Sequence, residues 1–507
     1  MMFRETQLSP QTDAFSSIEF HFSPSKLNKL NDPGAWHNRF FEYVTSKIDE
    51  GTFSDLFDKS RGRPNASVRV LVAMLFMKEG FGWSDEELFD QCAFNIVVMR
   101  ALGLVNLNDE VPVSSTYYLF KQSLYQHQID SEEDLIGEAF QALTEAQARV
   151  FGVHGHFIRM DSKLFGSNIA NCCRLQLVLG CLRQFWKSLS PDQRRRATSR
   201  DQTILSKLLE QTPSQLVYRL TNEEKASKLR QYGKLLRRLI KLYEASDSKR
   251  YDQIRRVFDE QFSLRERKVV IKNPKETKAS SLQSPHDPDA AYSGKANQNI
   301  KGYRVNLTET CNPNELNLVT HIQVEAANCA DTFFVESAVE NTESIVGEVK
   351  EVSLDGAYYS PMNIEYAEDN HKDFHFSGMQ STSPRFAYRY KPNQLEVIDT
   401  KTGAVKEALE YKPGKYKALF PDRCHYFTDK EIQSYQQRQK IDQMPEDIRK
   451  RRNNVEASLF QMSCFTRNKK TRYRRLYPHR LWAFCRAAWM NLVRIIHYLA
   501  EPPTVTA

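Results

Sequence analysis

Apolar and polar positions change rhythm several times along the chain. Between residues 36 and 150 the apolar residues recur at helical intervals, in WHNRFFEYVTSKI, SVRVLVAMLFMKEG and STYYLFKQSL. Ser84, with Glu87 three residues on in SDEEL, has the pattern of a capped helix start. Residues 36–150 are therefore expected to form an all-helical N-terminal domain behind a tail at 1–35. At residue 152 the pattern switches to GVHGHFIRMDSKLFGSN, a glycine-flanked run of alternating β-type residues, which predicts a strand ending at Asp161. From 175 to 270 the chain is helical and highly charged again, as in DQTILSKLLEQ and EKASKLRQYGKLLRRLIKLYEA, and reads as an insertion with a solvated outer face.

The segment SSLQSPHDPDAAYSGKANQNIKG has the Ser, Pro, Asp and Gly content of a loop. Beyond it, YRVNLTET and NLVTHIQVEAA predict a hairpin, DTFFVESAVENTESIV a helix, and EVSLDGAYYS a buried strand ending in an acid. From 373 to 420, HFSGM, FAYRY, LEVIDT, AVKEALEY and YKALF predict a strand-rich insertion with turns at KPN and TKTG. The tail from 428 to 500 reads as helical and basic. Trp482, Cys485, Trp489, Leu492, Ile496 and Leu499 recur every three or four residues there, the apolar face of a packing helix. Residues 151–500 thus have an α/β order, with acids at two strand ends and on a late helix.

Composition removes whole classes of function. With 40% hydrophobic and 26% charged residues, the chain is neither collagen-like nor wholly disordered, and 507 residues suffice for two to four packed domains. The net charge of +8 permits a polyanionic partner without demanding one. Nine cysteines without a CxxC pair read as a reducing cytosol, and Cys424-His425 lacks the partners of a zinc site. The most lipid-like stretch, Leu481 to Ala500, contains Arg486, Arg494 and His497, so neither export nor membrane spanning is expected. A phosphate-binding GxxxxGK[ST] loop is absent, which removes support for an ATP-driven engine.

Three acids stand where chemistry is expected: Asp161 in IRMDSK, Asp355 in VSLDGAYYS and Glu456 in KRRNNVEASLF, 194 and 101 residues apart. Carboxylates converging at strand ends can hold two hard divalent cations with positions left for water and phosphate oxygens, the arrangement suited to phosphodiester chemistry. Between Arg449 and Arg475 ten basic residues face a single acid, Glu456. Arg452 lies four residues before it on the same helical face, and Arg467, Lys469, Lys470 and Arg472 follow, so the acid sits in positive potential where a phosphate backbone would lie. Arg61 and Arg63 in SRGRP have the form of an extended minor-groove arm, although these residues read more readily as a plain loop with Pro64 opening the next helix. His286 and His321 lack metal-ligand spacing and read as loop or core histidines.

On these residues the chain resembles the DDE transposases of bacterial insertion sequences, in the group with an InsH-like helical N-terminal domain. The stretches that carry the resemblance are SRGRPNASVRVLVAMLFMKEGFGWSDEEL, HFIRMDSKLFGSNIA, SPHDPDAAYSGKANQNIKGYRVNLTETC, SLDGAYYSP and YRRLYPHRLWAFCRAAWMNLVRI. The resemblance implies a ribonuclease-H-like mixed sheet with helices, here interrupted by the helical insertion and preceded by the helical domain. It implies that Asp161, Asp355 and Glu456 bind two Mg²⁺ or Mn²⁺, and that the protein acts, as a homodimer on DNA, at the terminal inverted repeats of its element and at target DNA. It places the protein in the bacterial cytoplasm at the nucleoid. It also implies a Tyr-x2-Arg-x3-Glu-x6-Lys signature. Arg452 and Glu456 match it, whereas Arg449 and Ser463 stand at the Tyr and Lys positions. Two other readings remain open at this stage: a DNA-binding transposase remnant without catalysis, and a host ribonuclease-H-like nuclease.

Overall fold

In the computed structural model, which describes residues 1–6, 13, 15–295, 298–379, 384–391 and 394–501, the chain is mixed α/β and about half helical. Helix Pro24–Leu30 lies in the N-terminal tail, and Trp36–Tyr43, Val68–Phe81, Asp85–Phe94, Ile96–Ala101, Ser114–Ser131 and Leu135–Phe151 follow where the periodicity predicts helices, with only short 3-10 turns over residues 44–67. Ser84 accepts from the Glu87 amide at 3.1 Å and Glu87 accepts from the Ser84 amide at 2.7 Å, the capping box read from SDEEL. Val68–Phe81 is apolar nearly all round and is buried from Val68 to Gly80. The C-terminal helix Leu476–Ala500 covers it so closely that a Cβ on Gly80 would stand 2.1 Å from the Trp489 ring. That apolar helix is therefore a central core element, and among the described residues no helix is long and apolar enough to cross a membrane.

The main sheet begins with β1 (Phe157–Gly166). The chain then enters the helical insertion, whose main helices are Arg174–Ser188, Ser199–Glu210, Asn222–Leu242 and Lys249–Gln261. These helices enclose a core of their own, with Phe185, Trp186, Leu205, Leu235, Leu239 and Ile254 buried together. The hairpin β2 (Phe262–Arg265) and β3 (Lys268–Ile271) closes the insertion. Arg174 joins its ends by donating to the Lys272 and Gln261 carbonyls at 2.8 and 3.0 Å.

The chain returns through β4 (Ala291–Lys295), β5 (Gln298–Thr310), β6 (Val319–Ala326), β7 (Glu351–Leu354) and β8 (Asp373–Phe376). β1 pairs antiparallel with β5, from Ile158 opposite Thr310 to Gly166 opposite Gly302, and parallel with β7 on its other side. β8 extends the sheet parallel to β7, while β6 and β4 share the far edge of β5. β1 is thus central, flanked by both kinds of neighbour. A separate antiparallel meander follows, β9 (Phe386–Lys391), β10 (Gln394–Asp399), β11 (Val405–Lys412), β12 (Lys415–Leu419) and β13 (Cys424–Thr428), packed on the helix Asp429–Asp442 through Tyr388, Phe427 and Ile432.

Four expectations need correction. The segment SSLQSPHDPDAAYSGKANQNIKG is not loop throughout, because Ala291–Lys295 is β4 and pairs with the start of β5 at Gln298–Gly302. The strand-rich insertion was expected over 373–420, but Asp373–Phe376 pairs with β7 and belongs to the main sheet, and the separate sheet runs over Phe386–Thr428. A four-residue strand carries no local mark of the sheet it joins. Of the turns, TKTG joins β10 to β11, and KPN falls on residues outside those described after Lys391. Asp161 does not end its strand: β1 continues to Gly166 because Ser162–Gly166 go on pairing with β5. The tail is not helical throughout. Glu446–Arg451 and Asn453–Met462 are helices, but residues 463–475 form a strap with Phe465, Asn468, Lys469 and Arg475 at positive φ. Its run of bases offers no apolar face to hold a helix against the core.

Candidate active site

Asp161 stands mid-way along the central strand, where period-two alternation puts Arg159, Asp161, Lys163 and Phe165 on one face. Phe165 meets Trp482 of the C-terminal helix, and the helix Asn453–Met462 lies across the same face. Asp355 is the residue after β7. It caps the turn Gly356–Tyr358, its Oδ1 accepting from the Gly356 amide at 2.5 Å. The sheet brings these two acids together because β1 and β7 are parallel neighbours.

The third acid arrives with Arg452. Its Nη2 lies 2.9 Å from Asp161 Oδ2 and 3.5 Å from Asp355 Oδ2, and its Nη1 lies 3.5 Å from Glu456 Oε1. All three acids read from the sequence therefore converge on one guanidinium. They differ in exposure: the side chains of Asp161 and Arg452 are 12% and 15% exposed, that of Glu456 66%. Arg452 Nε is buried with no hydrogen-bond partner, so the guanidinium holds its place by its two terminal nitrogens. Among the described residues no three His, Cys, Asp or Glu side chains stand close enough to hold a metal ion. The guanidinium stands between the carboxylates and supplies the positive charge they require.

A second ionic cluster seats the helix that carries Glu456. Glu309 on β5 is fully buried and receives Arg159 Nε at 2.6 Å, Arg494 Nη2 at 2.5 Å and Ser458 Oγ at 2.7 Å. Arg159 also donates to the Arg451 carbonyl at 2.9 Å, one residue before Arg452. Burial pushes the Glu309 carboxyl up, but Arg494 and Arg159 outweigh it and hold the carboxyl below its ordinary value. Tyr358, whose hydroxyl donates to Asn306 at 2.5 Å, is held protonated by burial and by the nearby charges of Asp161 and Asp331. Sequence reading missed Arg159, Glu309, Arg494 and Tyr358. Only the parity of Arg159 with Asp161 on β1 offered a local signal.

The basic residues divide by what they touch. Lys470 donates to the Ile169 carbonyl at 2.7 Å, Lys469 reaches Gln298, and Arg472 donates to the Gly82 and Trp83 carbonyls. Lys470 and Arg472 thus fasten the strap to the protein, the latter to the helical N-terminal domain. Arg467 is exposed and, among the described residues, its side chain makes no hydrogen bond or ion pair. Lys163 Nζ donates to Ser463 Oγ at 2.8 Å, bringing an ammonium from β1 to the position where the resemblance implies a lysine. Burial, followed by the charge of Lys469, lowers its pKa. Arg61 and Arg63 are exposed in the loop 58–65, which is held by backbone bonds to Met2, and the next helix is capped by Ser67 rather than opened by Pro64. His286 lies against Gln184 of the insertion, and His321 lies on β6, where burial lowers its imidazole to about 4.

A family model described as a transposase domain (DUF772) matches residues 28–123. No curated protein and no solved structure matches the chain. The matched segment includes Gly82 and Trp83, which receive Arg472, and Glu79 and Gly80, whose carbonyls accept from Arg486 at 2.8 and 3.1 Å. The segment that is similar to a transposase domain is thus bonded directly to the strap that follows the helix of Glu456.

Proposed function

We propose that the protein is a DDE transposase that binds the ends of its insertion sequence, cleaves the phosphodiester at each end and transfers the freed 3′ hydroxyl to target DNA. The observation that carries this reading is the convergence of Asp161, Asp355 and Glu456 on one positive centre, beside a transposase domain. The sheet supports it as well: three antiparallel strands, β6–β5–β1, followed by two parallel ones, β7 and β8, is the order of a ribonuclease-H-like fold. A remnant without catalysis would have no reason to keep three distant acids facing one point.

The donor set suits Mg²⁺ or Mn²⁺, because three carboxylates are hard oxygen ligands and Asp161 is shielded from water. Asp161, Asp355 and Glu456 would hold the cations. Bound there, divalent ions supply Lewis acidity that activates water and stabilises the leaving 3′ oxygen. In the free protein Arg452 neutralises the same carboxylates. It must release them on loading, and a DNA phosphate is the natural acceptor for its freed guanidinium. Arg159 and Arg494, through Glu309 and Ser458, keep the helix of Glu456 seated on β1 during that exchange. Lys163, two residues beyond Asp161 on the same face of β1, presents positive charge beside the acids, and Arg467 on the strap extends the path proposed for the phosphate backbone. The protein would act as a homodimer on DNA, in the cytoplasm at the nucleoid.

The test is a duplex carrying the element's boundary, incubated with the protein and Mg²⁺ or Mn²⁺. Cleavage at the boundary that EDTA abolishes is the expected result, and no cleavage with either cation would refute the reading. A second expectation concerns the strap. Arg467→Gln should flatten the slope of log affinity against log salt by about 0.9 with no change in stability. Arg472→Gln should in addition cost about 1–3 kcal/mol in urea unfolding, because it removes charged hydrogen bonds that join strap and helical domain.

A further inference from the structure

The helical insertion holds more of the chain's charge than its sequence pattern alone would assign to a solvated face. Residues 174–261 contain 20 Lys and Arg against 10 Asp and Glu, so this segment alone exceeds the +8 of the whole protein. The cations are not spread evenly. On the helix Asn222–Leu242, Arg230, Lys234, Arg238 and Lys241 follow one another at spacings of four, four and three residues, one stripe about 16 Å long. Between this helix and Ser199–Glu210 runs a groove of about 820 Å³, into which Arg200, Arg230, Lys234 and Arg238 project beside Thr198, Ser227 and Gln231.

One acid lies in the groove, and it is already spoken for. Asp201 is buried and receives Arg238 through Nε at 3.1 Å and Nη2 at 2.5 Å. Arg238 holds the Asp201 carboxyl below its ordinary value. The side chains of Arg200, Arg230 and Lys234 are exposed and, among the described residues, make no hydrogen bond or close ion pair, Arg200 acting on Asp201 only through its charge. Three neighbouring cations that share at most one carboxylate, Asp201, which Arg238 already pairs, are an electrostatic cost in the free protein unless a polyanion is their partner. The insertion has its own apolar core, so neither folding nor packing on the main sheet requires them.

We infer that the groove between Ser199–Glu210 and Asn222–Leu242 is a second DNA-contacting surface, which grips the phosphate backbone of a duplex through Arg200, Arg230 and Lys234, with hydroxyl and amide help from Thr198, Ser227 and Gln231. The choice of DNA as the polyanion rests on the transposase reading, and the charge and shape stand without it. Recognition by point charges and hydroxyls carries no base readout, so the surface holds DNA by position and not by sequence.

The experiment uses the full chain in EDTA, so that binding is measured apart from cleavage. Arg200→Gln/Arg230→Gln/Lys234→Gln is compared with wild type by fluorescence anisotropy over a range of salt, on one duplex carrying the element's end and on one of unrelated sequence. Arg238 is left in place because it compensates Asp201. A control, Lys207→Gln/Lys225→Gln/Lys249→Gln, removes the same charge from elsewhere on the insertion. The groove variant should flatten the salt slope by about 2 to 3 while the control changes it by less than about 1. The loss should appear on both duplexes, because the contacts carry no base readout, and a loss confined to one of them would overturn the sequence-independent grip. Equal slopes for groove variant and wild type on both duplexes, or an equal loss in the control, would overturn the inference. Wild-type binding without cation-dependent cleavage would instead refute only the catalytic reading, so the two failures are distinguishable.

Discussion

Asp161→Asn and Asp355→Asn should each abolish cleavage at the element's ends while leaving affinity for the end duplex within about twofold of wild type. The asymmetry follows from the chemistry of the site. A neutral amide is a poor ligand for a hard cation, and the ion's acidifying effect on its bound water is lost with the ion. Affinity comes mainly from phosphate contacts by cations elsewhere, which these substitutions leave alone. The asparagine oxygen still accepts a hydrogen bond from Arg452, so the helix of Glu456 keeps its seat. Gel analysis of single-turnover cleavage, alongside anisotropy of the same duplex, checks both halves. Wild-type cleavage by either variant would remove that acid from the site.

Arg494→Ala should destabilise the protein by about 3 kcal/mol or more, a large loss for a single substitution outside the site. Glu309 is completely buried, and with Arg494 gone its second oxygen retains only Ser458. The cost is that of a partly uncompensated buried charge, so Glu309→Gln in the same background should recover part of it, a coupling that a double-mutant cycle resolves. The pH dependence has a definite sign. A carboxyl held below its ordinary value contributes stability that is present above that value and is lost as pH falls through the folded one. Arg494→Ala should therefore move the acid limb of the stability profile to higher pH, as read from urea unfolding across pH 4 to 7. A change below about 0.5 kcal/mol would mean that the cluster does not seat the helix.

How far the site was legible in the sequence depends on the reach of each interaction. Asp161, Asp355 and Glu456 were singled out by local context alone, an acid in or after an apolar strand and an acid isolated among bases, and they converge in space. Arg452 was half legible: its four-residue spacing from Glu456 shows that they share a face, but nothing local shows that the same guanidinium reaches Asp161, 291 residues away. Glu309 with Arg159 and Arg494 was not legible at all, because it joins β5, β1 and the C-terminal helix across long loops. The six helices between residues 36 and 151 followed from periodicity and capping, which are local. The sheet order did not, since the pairing of a strand as short as β8 is decided by its neighbours. The strap was misread because a basic run inside a helical tail carries no signal for a break until Gly166 and Gly82 are found to receive it.

Whether Asp161, Asp355 and Glu456 form one cation site is read most directly from Mn²⁺ titration of the DNA-free protein by electron paramagnetic resonance, with Glu456 as the discriminating residue because it is the most exposed of the three. Glu446, in the first turn of the preceding helix, is the nearby acid with no place at the centre and serves as control. Wild type and Glu446→Gln should bind Mn²⁺ alike, and Glu456→Gln should weaken binding by at least about tenfold, as Asp161→Asn does. Identical titration of wild type, Glu456→Gln and Asp161→Asn would contradict a shared cation site at these carboxylates.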